Sequence, residues 1–391
     1  MRFERTIRFV CGALWCGLLA SSSAMAESPK LPVPAVDQSA VAARGYFYVG
    51  GHYAPSSEPG KEIMDGQIYA EVLAPKEVRR PFPLVLIHGA GQTATNWMGT
   101  PDGRKGWAEY FVEQGYVVYM IDQPMRGRSA WHPADGPTRM FSAEQEEFQF
   151  TASEVLGTWP QAKKHTQWPG DGPNKGRKGD PVFDAFYATQ VETVISNEET
   201  QARNQAAAAA LLDRIGPAIV LTHSQSGPFG WLIADARPQL VKAIVAIEPA
   251  GPPFENSINA TGKARLWGVT DIAMTYDPPI KQASELSIER ETNPDSPDLF
   301  TCWMQKSPAR QLVNLKGIPS VVVVSEASYH ATYDHCTVKY LNQAGVKTEL
   351  LRLEDKGIHG NGHMVMLEKN NLDIAHVLDD WVVQNMRSQT H

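Results

Sequence analysis

The segment AIVLTHSQSG, residues 218–227, joins a short apolar run to a serine-rich turn. Four consecutive apolar residues, 218–221, are typical of a strand that is buried on both faces. Ser224 then stands at the apex of a tight turn, and Gly227 opens a segment with helical character. A strand, a sharp turn and a helix in this order lift the serine hydroxyl above the sheet edge and aim the next backbone N–H, that of Gln225, at the same point. The pattern predicts a nucleophilic serine at position 224.

The turn departs from the usual Gly-x-Ser-x-Gly pattern, because Thr222 and Ser226 occupy the two flanking positions. Both side chains are just small enough for the strand and the helix to pass closely. Ser226 is an alternative apex, with Ser224 and Pro228 as its flanks. Ser224 is favoured because it lies nearer the strand end and because Pro228 is a poor small residue.

The first 26 residues have the pattern of a signal peptide. Three arginines precede an apolar stretch, residues 9–20, and Ala24-Met25-Ala26 offers a cleavage site ahead of Glu27. An apolar stretch of about 12 residues is too short to span a bilayer. We expect a mature chain that begins near Glu27 and is exported to the periplasm or the extracellular space of a bacterium.

The charge of the chain argues against some classes of partner, and its length indicates the number of domains. The chain has 391 residues and a net charge of −7, which becomes −9 when the three arginines and Glu4 of residues 1–26 are removed. An acidic chain without a basic cluster is not suited to nucleic acid or to anionic membranes, and no stable membrane insertion is expected. The mature length predicts a single domain, residues 27–391.

Two cysteines, Cys302 and Cys336, remain in the mature chain. In an oxidising compartment such a pair more often forms a disulfide than two free thiols. Their wide separation excludes a compact Cys-x-x-Cys redox or zinc motif. A bridge here would have a structural role.

Apolar runs of strand length alternate with helix-like segments along the chain. Apolar runs cover residues 84–87, 117–121, 218–221, 243–247 and 320–324. A further strand is expected over 347–353 and a last amphipathic helix over 372–383. Residues 45–50 and 67–73 instead alternate as antiparallel strands do. The pattern predicts a mostly parallel sheet with helices on both faces. With the turn at Ser224, it predicts the α/β-hydrolase fold.

Two long stretches, about residues 130–200 and 250–310, interrupt this alternation and are rich in proline and aromatic residues. Loops of this length inside a compact domain are either functional or disordered, and the aromatic content argues against disorder. We expect the first to form a lid over the substrate. The second is expected to form part of the pocket wall, or else extra packing at the sheet edge.

A serine nucleophile needs a histidine that takes its proton and a carboxylate that holds the histidine. In this fold the acid follows the serine along the chain, and the histidine follows the acid. Glu248 ends the run 243–247 and is the first candidate for the acid. Glu326, after the run 320–324, is the second.

His363 lies between the last strand and the last helix, where the catalytic histidine belongs. His359 precedes it by four residues, a spacing that would suit a zinc pair on a helix. Gly360 and Gly362 argue against a helix there, so no metal site is expected. His359 is interpreted as a supporting or structural residue.

A second backbone N–H for the oxyanion is expected in the loop after residues 84–87. His88-Gly89-Ala90-Gly91 offers the amide of Ala90 as the partner of the Gln225 amide. The two glycines let the backbone approach a substrate carbonyl closely. Loss of one such donor typically costs about 3–4 kcal/mol of transition-state stabilisation.

Together these landmarks resemble a small group of secreted bacterial esterases typified by an Alcaligenes esterase. The segments that carry the resemblance are residues 88–91, 122–129, 223–227, 248–249 and 357–371. Two features depart from the group: Ala90-Gly91 replaces a cysteine pair in the oxyanion loop, and the aromatic insertions align poorly. The resemblance implies Ser224 as nucleophile, Glu248 as acid and His363 as base. It also implies a disulfide between the two remaining cysteines.

The resulting hypothesis is an exported serine hydrolase that cleaves small-molecule carboxylic esters through an acyl-enzyme, without a metal or an organic cofactor. The same triad would also serve an amide, lactone or thioester hydrolase. A non-catalytic binding protein of the same fold is the alternative from a different class. The sequence leaves the oligomeric state open, with a homodimer as one option.

Overall fold

A computed structural model describes residues 35–257 and 261–387 of the chain. The predicted signal peptide therefore lies outside the described residues. The strands are β1 (Val41–Pro55), β2 (Glu62–Pro75), β3 (Leu84–Ile87), β4 (Val118–Asp122), β5 (Thr138–Arg139), β6 (Thr193–Val194), β7 (Ala218–His223), β8 (Val241–Ile247), β9 (Tyr276–Asp277), β10 (Ile288–Arg290), β11 (Trp303–Gln305), β12 (Gln311–Leu312), β13 (Ser320–Val324) and β14 (Thr348–Arg352).

The α-helices are α1 (Thr95–Met98), α2 (Trp107–Glu113), α3 (Ala143–Glu146), α4 (Ser153–Leu156), α5 (Pro181–Tyr187), α6 (Asn197–Ile215), α7 (Gly227–Ala236), α8 (Asp334–Gln343) and α9 (Asn371–Arg387). A π-helical turn, Glu147–Thr151, continues α3, and single 3-10 turns include Ser224–Ser226 and Tyr329–Thr332. No helix in the two described ranges is both long and apolar enough to cross a membrane.

Eight strands form the central sheet, in the order β1-β2-β4-β3-β7-β8-β13-β14. The six strands from β4 to β14 are mutually parallel, and the β1–β2 hairpin adds an antiparallel edge. The prediction of a mostly parallel sheet is confirmed. The predicted parallel strands are present with end shifts of up to two residues, whereas the last helix, α9, extends to Arg387.

Helices cover both faces of the sheet because the strand residues alternate in direction. Leu84 and Leu86 of β3 join a core with α2 and α9. Val85 and Ile87 join a second core with α6, α7 and α8. Strands that are apolar on every residue are thus buried on both sides, as continuous apolar runs require.

Both long insertions are packed against this frame. The first contributes Trp159, Trp168, Phe183 and Phe186 to the core that contains α2 and α9. It ends where α6 begins at Asn197, so the last residues of the predicted 130–200 stretch are helical. The second insertion carries the short pairs β10–β11 and β9–β12 and packs with the core of α6, α7 and α8.

A disulfide bond joins the second insertion to α8. The Sγ atoms of Cys302 and Cys336 lie 2.08 Å apart, and 34 positions separate the two residues in the sequence. Both side chains are buried. The bond therefore connects the segment that leads into β11 with the helix that follows β13.

Candidate active site

Ser224 occupies a sharp turn between β7 and α7. Its φ angle is 56°, in the left-handed region that side chains other than glycine rarely adopt. The turn is tight because α7 starts against the strand-end loop: a Cβ at Gly227 would overlap Pro249. Ser224 is partly exposed at the carboxyl end of the parallel strands, the edge where α/β proteins bind ligands.

Ser226, the alternative apex, is fully buried. Its Oγ accepts a hydrogen bond from the His223 N–H at 2.8 Å and lies 2.8 Å from the Ile87 carbonyl oxygen, to which it can donate. This hydroxyl fastens β7 to the neighbouring β3. It is therefore engaged with the backbone and does not face the open side of the turn.

Glu248 and His363 meet directly. The distance from His363 Nδ1 to Glu248 Oε2 is 2.5 Å, and both side chains are buried. Glu248 also accepts hydrogen bonds from the Ser325 N–H at 2.9 Å, from the Ser325 hydroxyl, and from the Ser328 hydroxyl at 2.6 Å. Four contacts therefore fix the carboxylate and the tautomer of the imidazole that faces it.

Glu326, the second candidate for the acid, points elsewhere. Its carboxylate binds Lys164 at 3.0 Å, His359 Nδ1 at 3.1 Å and the Gly360 N–H at 3.1 Å. His359 itself is well exposed. The structure thus brings Glu248, and not Glu326, to His363, and it leaves His359 at the surface.

Aromatic rings enclose the His363 imidazole. Phe150 of the first insertion and His330 both stack on it with centroid distances of 4.9 Å, and His223 lies at 4.5 Å. Burial lowers the pKa of His363 well below its usual value, and the neighbouring His330 lowers it further. Nε2 of His363 has no hydrogen-bond partner among the described residues. A neutral imidazole with a free nitrogen is the form that accepts a proton.

Tyr329 links the serine to this cluster. Burial raises the pKa of Tyr329, while a hydrogen bond with the Ser224 side chain acts in the opposite direction. The Tyr329 ring also lies 5.2 Å from the His363 ring. Tyr329 therefore contacts both the Ser224 side chain and the ring of His363.

The loop after β3 lies against the serine. A Cβ added to Gly89 would be 3.2 Å from the Ser224 Cβ and 3.1 Å from His223 Nδ1, so the backbone approaches closely because residue 89 has no side chain. The next N–H, that of Ala90, donates to no acceptor in the part of the chain that the structure describes. The Gln225 N–H belongs to the first turn of the helical segment, where N–H groups lack intrahelical acceptors.

Three clusters of described residues have the side chains of a cation site. One consists of Asp37, Glu109 and Glu113, and contacts within the protein already satisfy the other two. Glu248, His330 and His363 offer one ligand atom each within 4.8 Å. However, His330 contacts Asp334 through Nδ1 at 2.9 Å and Tyr333 through Nε2 at 3.1 Å. In the second cluster, beside His335, the two cysteine sulfurs are bonded to each other.

The sequence reasoning missed several residues that the fold brings to His363: Phe150, Tyr329, His330, Ser325 and Ser328. They come from the first insertion and from the segment after β13. Phe150 belongs to the aromatic stretch interpreted as a lid, and Ser325 and Ser328 lie near Glu326 at the end of a predicted strand, whereas Tyr329 and His330 carried no signal.

The profile of the Alpha/beta hydrolase family matches residues 84–377, a range that runs from β3 into α9 and contains every landmark of the site. The chain belongs to the α/β-hydrolase family. This α/β-hydrolase is 48% identical over 338 residues to "Probable secreted lipase phiG" from Fungal sp. (strain ATCC 74256), an alignment that covers 86% of this chain and 88% of that protein. The family expected from the sequence is confirmed.

A solved structure shares the fold of this α/β-hydrolase. It is described as "The Atomic Resolution Structure of a Novel Bacterial Esterase", and its TM-score is 0.57 with 24% sequence identity. The match covers 91% of this chain and 99% of that chain. The likeness of the fold therefore extends over most of this chain.

Proposed function

We propose that this α/β-hydrolase is an exported serine esterase that cleaves carboxylic esters through an acyl-enzyme. The observation that carries the proposal is the buried Glu248–His363 pair, 2.5 Å apart, beside a serine held at a positive φ. The relative at 48% identity is named a secreted lipase, which supports both the ester substrate and the export. Residues 1–26 act as the signal peptide, and residues 27–391 form the single domain.

In the proposed reaction, Ser224 Oγ attacks the ester carbonyl and transfers its proton to His363 Nε2. Glu248 holds Nδ1–H and stabilises the imidazolium that forms. The Ala90 and Gln225 amides bind the oxyanion of the tetrahedral intermediate. His363 then protonates the departing alcohol, and a water molecule activated by the same histidine releases the acid from Ser224. The first insertion covers the site, because Phe150 stacks on the base.

The chain offers matched pairs for the test. His363→Gln and Glu248→Gln remove the proposed base and acid, while His359→Gln and Glu326→Gln change the same residue types at the neighbouring surface. We expect the first two variants to lose at least about 100-fold in kcat on a p-nitrophenyl ester, and the second two to stay close to the wild type. Equal losses in both pairs would contradict the assignment.

Peptide mapping by mass spectrometry after fluorophosphonate treatment identifies the nucleophile. We expect one adduct, on the peptide that contains Ser224, and none in Ser224→Ala. An unmodified Ser224 in folded protein that also hydrolyses no ester would favour the binding-protein alternative.

A comparison of kcat/KM on matched ester, amide, lactone and thioester substrates then shows which bond the enzyme cleaves best. We expect the ester to turn over fastest.

A further inference from the structure

A buried arginine sits behind the candidate oxyanion site. Arg126 lies in the turn after β4 and is 4% exposed. Its Nη1 donates to the Gly89 carbonyl oxygen at 2.9 Å, and its Nη2 donates to the Gln225 side-chain oxygen at 3.1 Å. One guanidinium therefore contacts the loop after β3 and the turn after β7, the two segments that carry the candidate oxyanion donors.

The charge of Arg126 is not neutralised by a direct partner. Within the described residues it forms no ion pair, whereas Arg128, two positions later, contacts both Glu71 and Asp122. Burial lowers the pKa of Arg126 to about 9, and the one opposing effect is the electrostatic attraction of the Asp122 carboxylate, which raises it. A buried, unpaired guanidinium is costly for folding, which indicates a role beyond stability.

The contact with Gly89 sets the direction of the next N–H. In a trans peptide the C=O and the N–H point to opposite sides. Because Arg126 holds the Gly89 oxygen, the Ala90 N–H is turned away from the guanidinium. Gly89 itself packs against Ser224, where an added Cβ would meet the Ser224 Cβ at 3.2 Å. The Ala90 N–H therefore points away from Arg126, on a loop that packs against the serine through Gly89.

We propose that Arg126 is the positioning residue of the oxyanion site: its two hydrogen bonds hold the Ala90 and Gln225 amides in register across Ser224. The inference rests on the proposed function, since it presumes acyl transfer at Ser224. The unpaired positive charge behind the two amides also favours the negative charge that develops on the substrate oxygen. The group acts through the Gly89 carbonyl and the Gln225 side chain and does not touch the substrate.

Steady-state kinetics on an ester that the wild type hydrolyses test the inference. Arg126→Met is expected to lower kcat by about 100-fold while KM changes by less than about threefold, because the oxyanion forms only after binding. A trifluoromethyl ketone with the same acyl chain, which forms an oxyanion on the enzyme, should lose affinity by a similar factor. Arg126→Lys keeps the positive charge but has one nitrogen in place of the two that donate to Gly89 and Gln225, so it should lie between the wild type and Arg126→Met.

Arg128→Met is the matched control, because it removes the neighbouring arginine and its two ion pairs. We expect it to lower the melting temperature and to leave kcat within about threefold of the wild type, as expected of a stabilising residue away from the reacting atoms. Arg126→Met with wild-type kcat, or with a loss confined to KM, would overturn the inference.

If Arg126→Met does not fold, Gln225→Met removes one of the two contacts and keeps the backbone amide. It should lower kcat by about tenfold without a matching rise in KM, and an unchanged kcat would overturn the inference. A failure of the proposed function is separate: a wild type without ester turnover and without a Ser224 adduct would refute it before any arginine variant is compared.

Discussion

At the scale of single residues, two side chains of the site stand on strained backbone. Ser224 and Glu248 follow β7 and β8 and have φ angles of 56° and 45°. A side chain in the left-handed region costs roughly 1–2 kcal/mol, and such strain is often found at functional sites. The strain turns each side chain out of its strand and toward the shared sheet edge.

The strain at Ser224 predicts a difference between two inactive variants. Ser224→Ala should abolish ester turnover with nearly unchanged stability, because Ala keeps both the Cβ and the strained φ. Ser224→Gly should also be inactive but more stable than Ser224→Ala by about 1 kcal/mol, since glycine adopts positive φ freely. Urea unfolding of the two purified variants measures this difference. Equal midpoints and slopes would show that the turn is not under strain.

The burial of His363 predicts the pH at which activity declines on the acid side of its pH profile. Only the neutral imidazole accepts the Ser224 proton, and burial lowers the pKa of His363 well below the usual value near 6.5. Activity should therefore persist as the pH falls through 6.5 and decline only at lower pH. The pH dependence of kcat/KM reports this value for the free enzyme. An acid limb at or above pH 6.5 would contradict the described environment of His363.

At the scale of elements, the first insertion is fastened to the loop that carries His363. His165 contacts Glu154 at 2.9 Å and Glu368 at 2.7 Å, and Glu368 accepts the Gly362 N–H at 2.9 Å. The Thr166 N–H also donates to the Gly360 carbonyl oxygen at 2.9 Å. This part of the proposed lid therefore holds the loop that carries His363.

The His165 contacts predict a pH-dependent stability. The two carboxylates raise the pKa of His165 to about 9 against the burial that lowers it, whereas the unfolded chain has the usual value near 6.5. The protonated form thus stabilises the fold fully below pH 6.5, and this contribution, up to about 3 kcal/mol, is lost as the pH rises to about 9.

His165→Gln should remove that contribution, while His376→Gln, at an exposed position on α9, should keep the wild-type dependence. Urea unfolding at pH 6, 7.5 and 9 measures both. The free energy of unfolding should fall with pH in the wild type and in His376→Gln, and fall less in His165→Gln. Parallel curves for all three proteins would exclude a charged His165 in the fold.

At the scale of the whole molecule, the Cys302–Cys336 disulfide links the second insertion to α8. The two residues are 34 positions apart, and a closed loop of this length stabilises a fold by about 3–4 kcal/mol in the chain-entropy description. The double variant Cys302→Ala/Cys336→Ala should lose about this much unfolding free energy. At temperatures where it is folded, kcat should match the wild type, because neither sulfur contacts the site.

Reduction of the wild type provides the control for this prediction. Urea unfolding with a strong thiol reductant should move the wild type toward the double variant and leave the double variant unchanged. If the reductant has no effect and the variant is as stable as the wild type, the bond does not contribute to the fold.

Local sequence patterns are sufficient to predict the order of the strands along the chain and the positions of the three proposed catalytic residues. Continuous apolar runs, such as residues 84–87 and 218–221, can be recognised locally because a strand buried on both faces has no polar positions. The turn at Ser224 is equally local, since small residues and a glycine are needed where strand and helix cross closely. The order of Ser224, Glu248 and His363 then followed from the order of the strands.

The surroundings of those residues depend on contacts between segments that are far apart in the sequence. Glu248 and Glu326 both follow strands, and the sequence only ranks them as candidates for the acid; the structure places the Glu248 carboxylate 2.5 Å from His363 Nδ1. Phe150 and Arg126 belong to distant segments, and their contacts with the site depend on how the insertion and the strand-end loops pack. Local periodicity encodes which face of an element is buried, but it does not encode which of many buried groups will meet, because that depends on the packing of the whole chain.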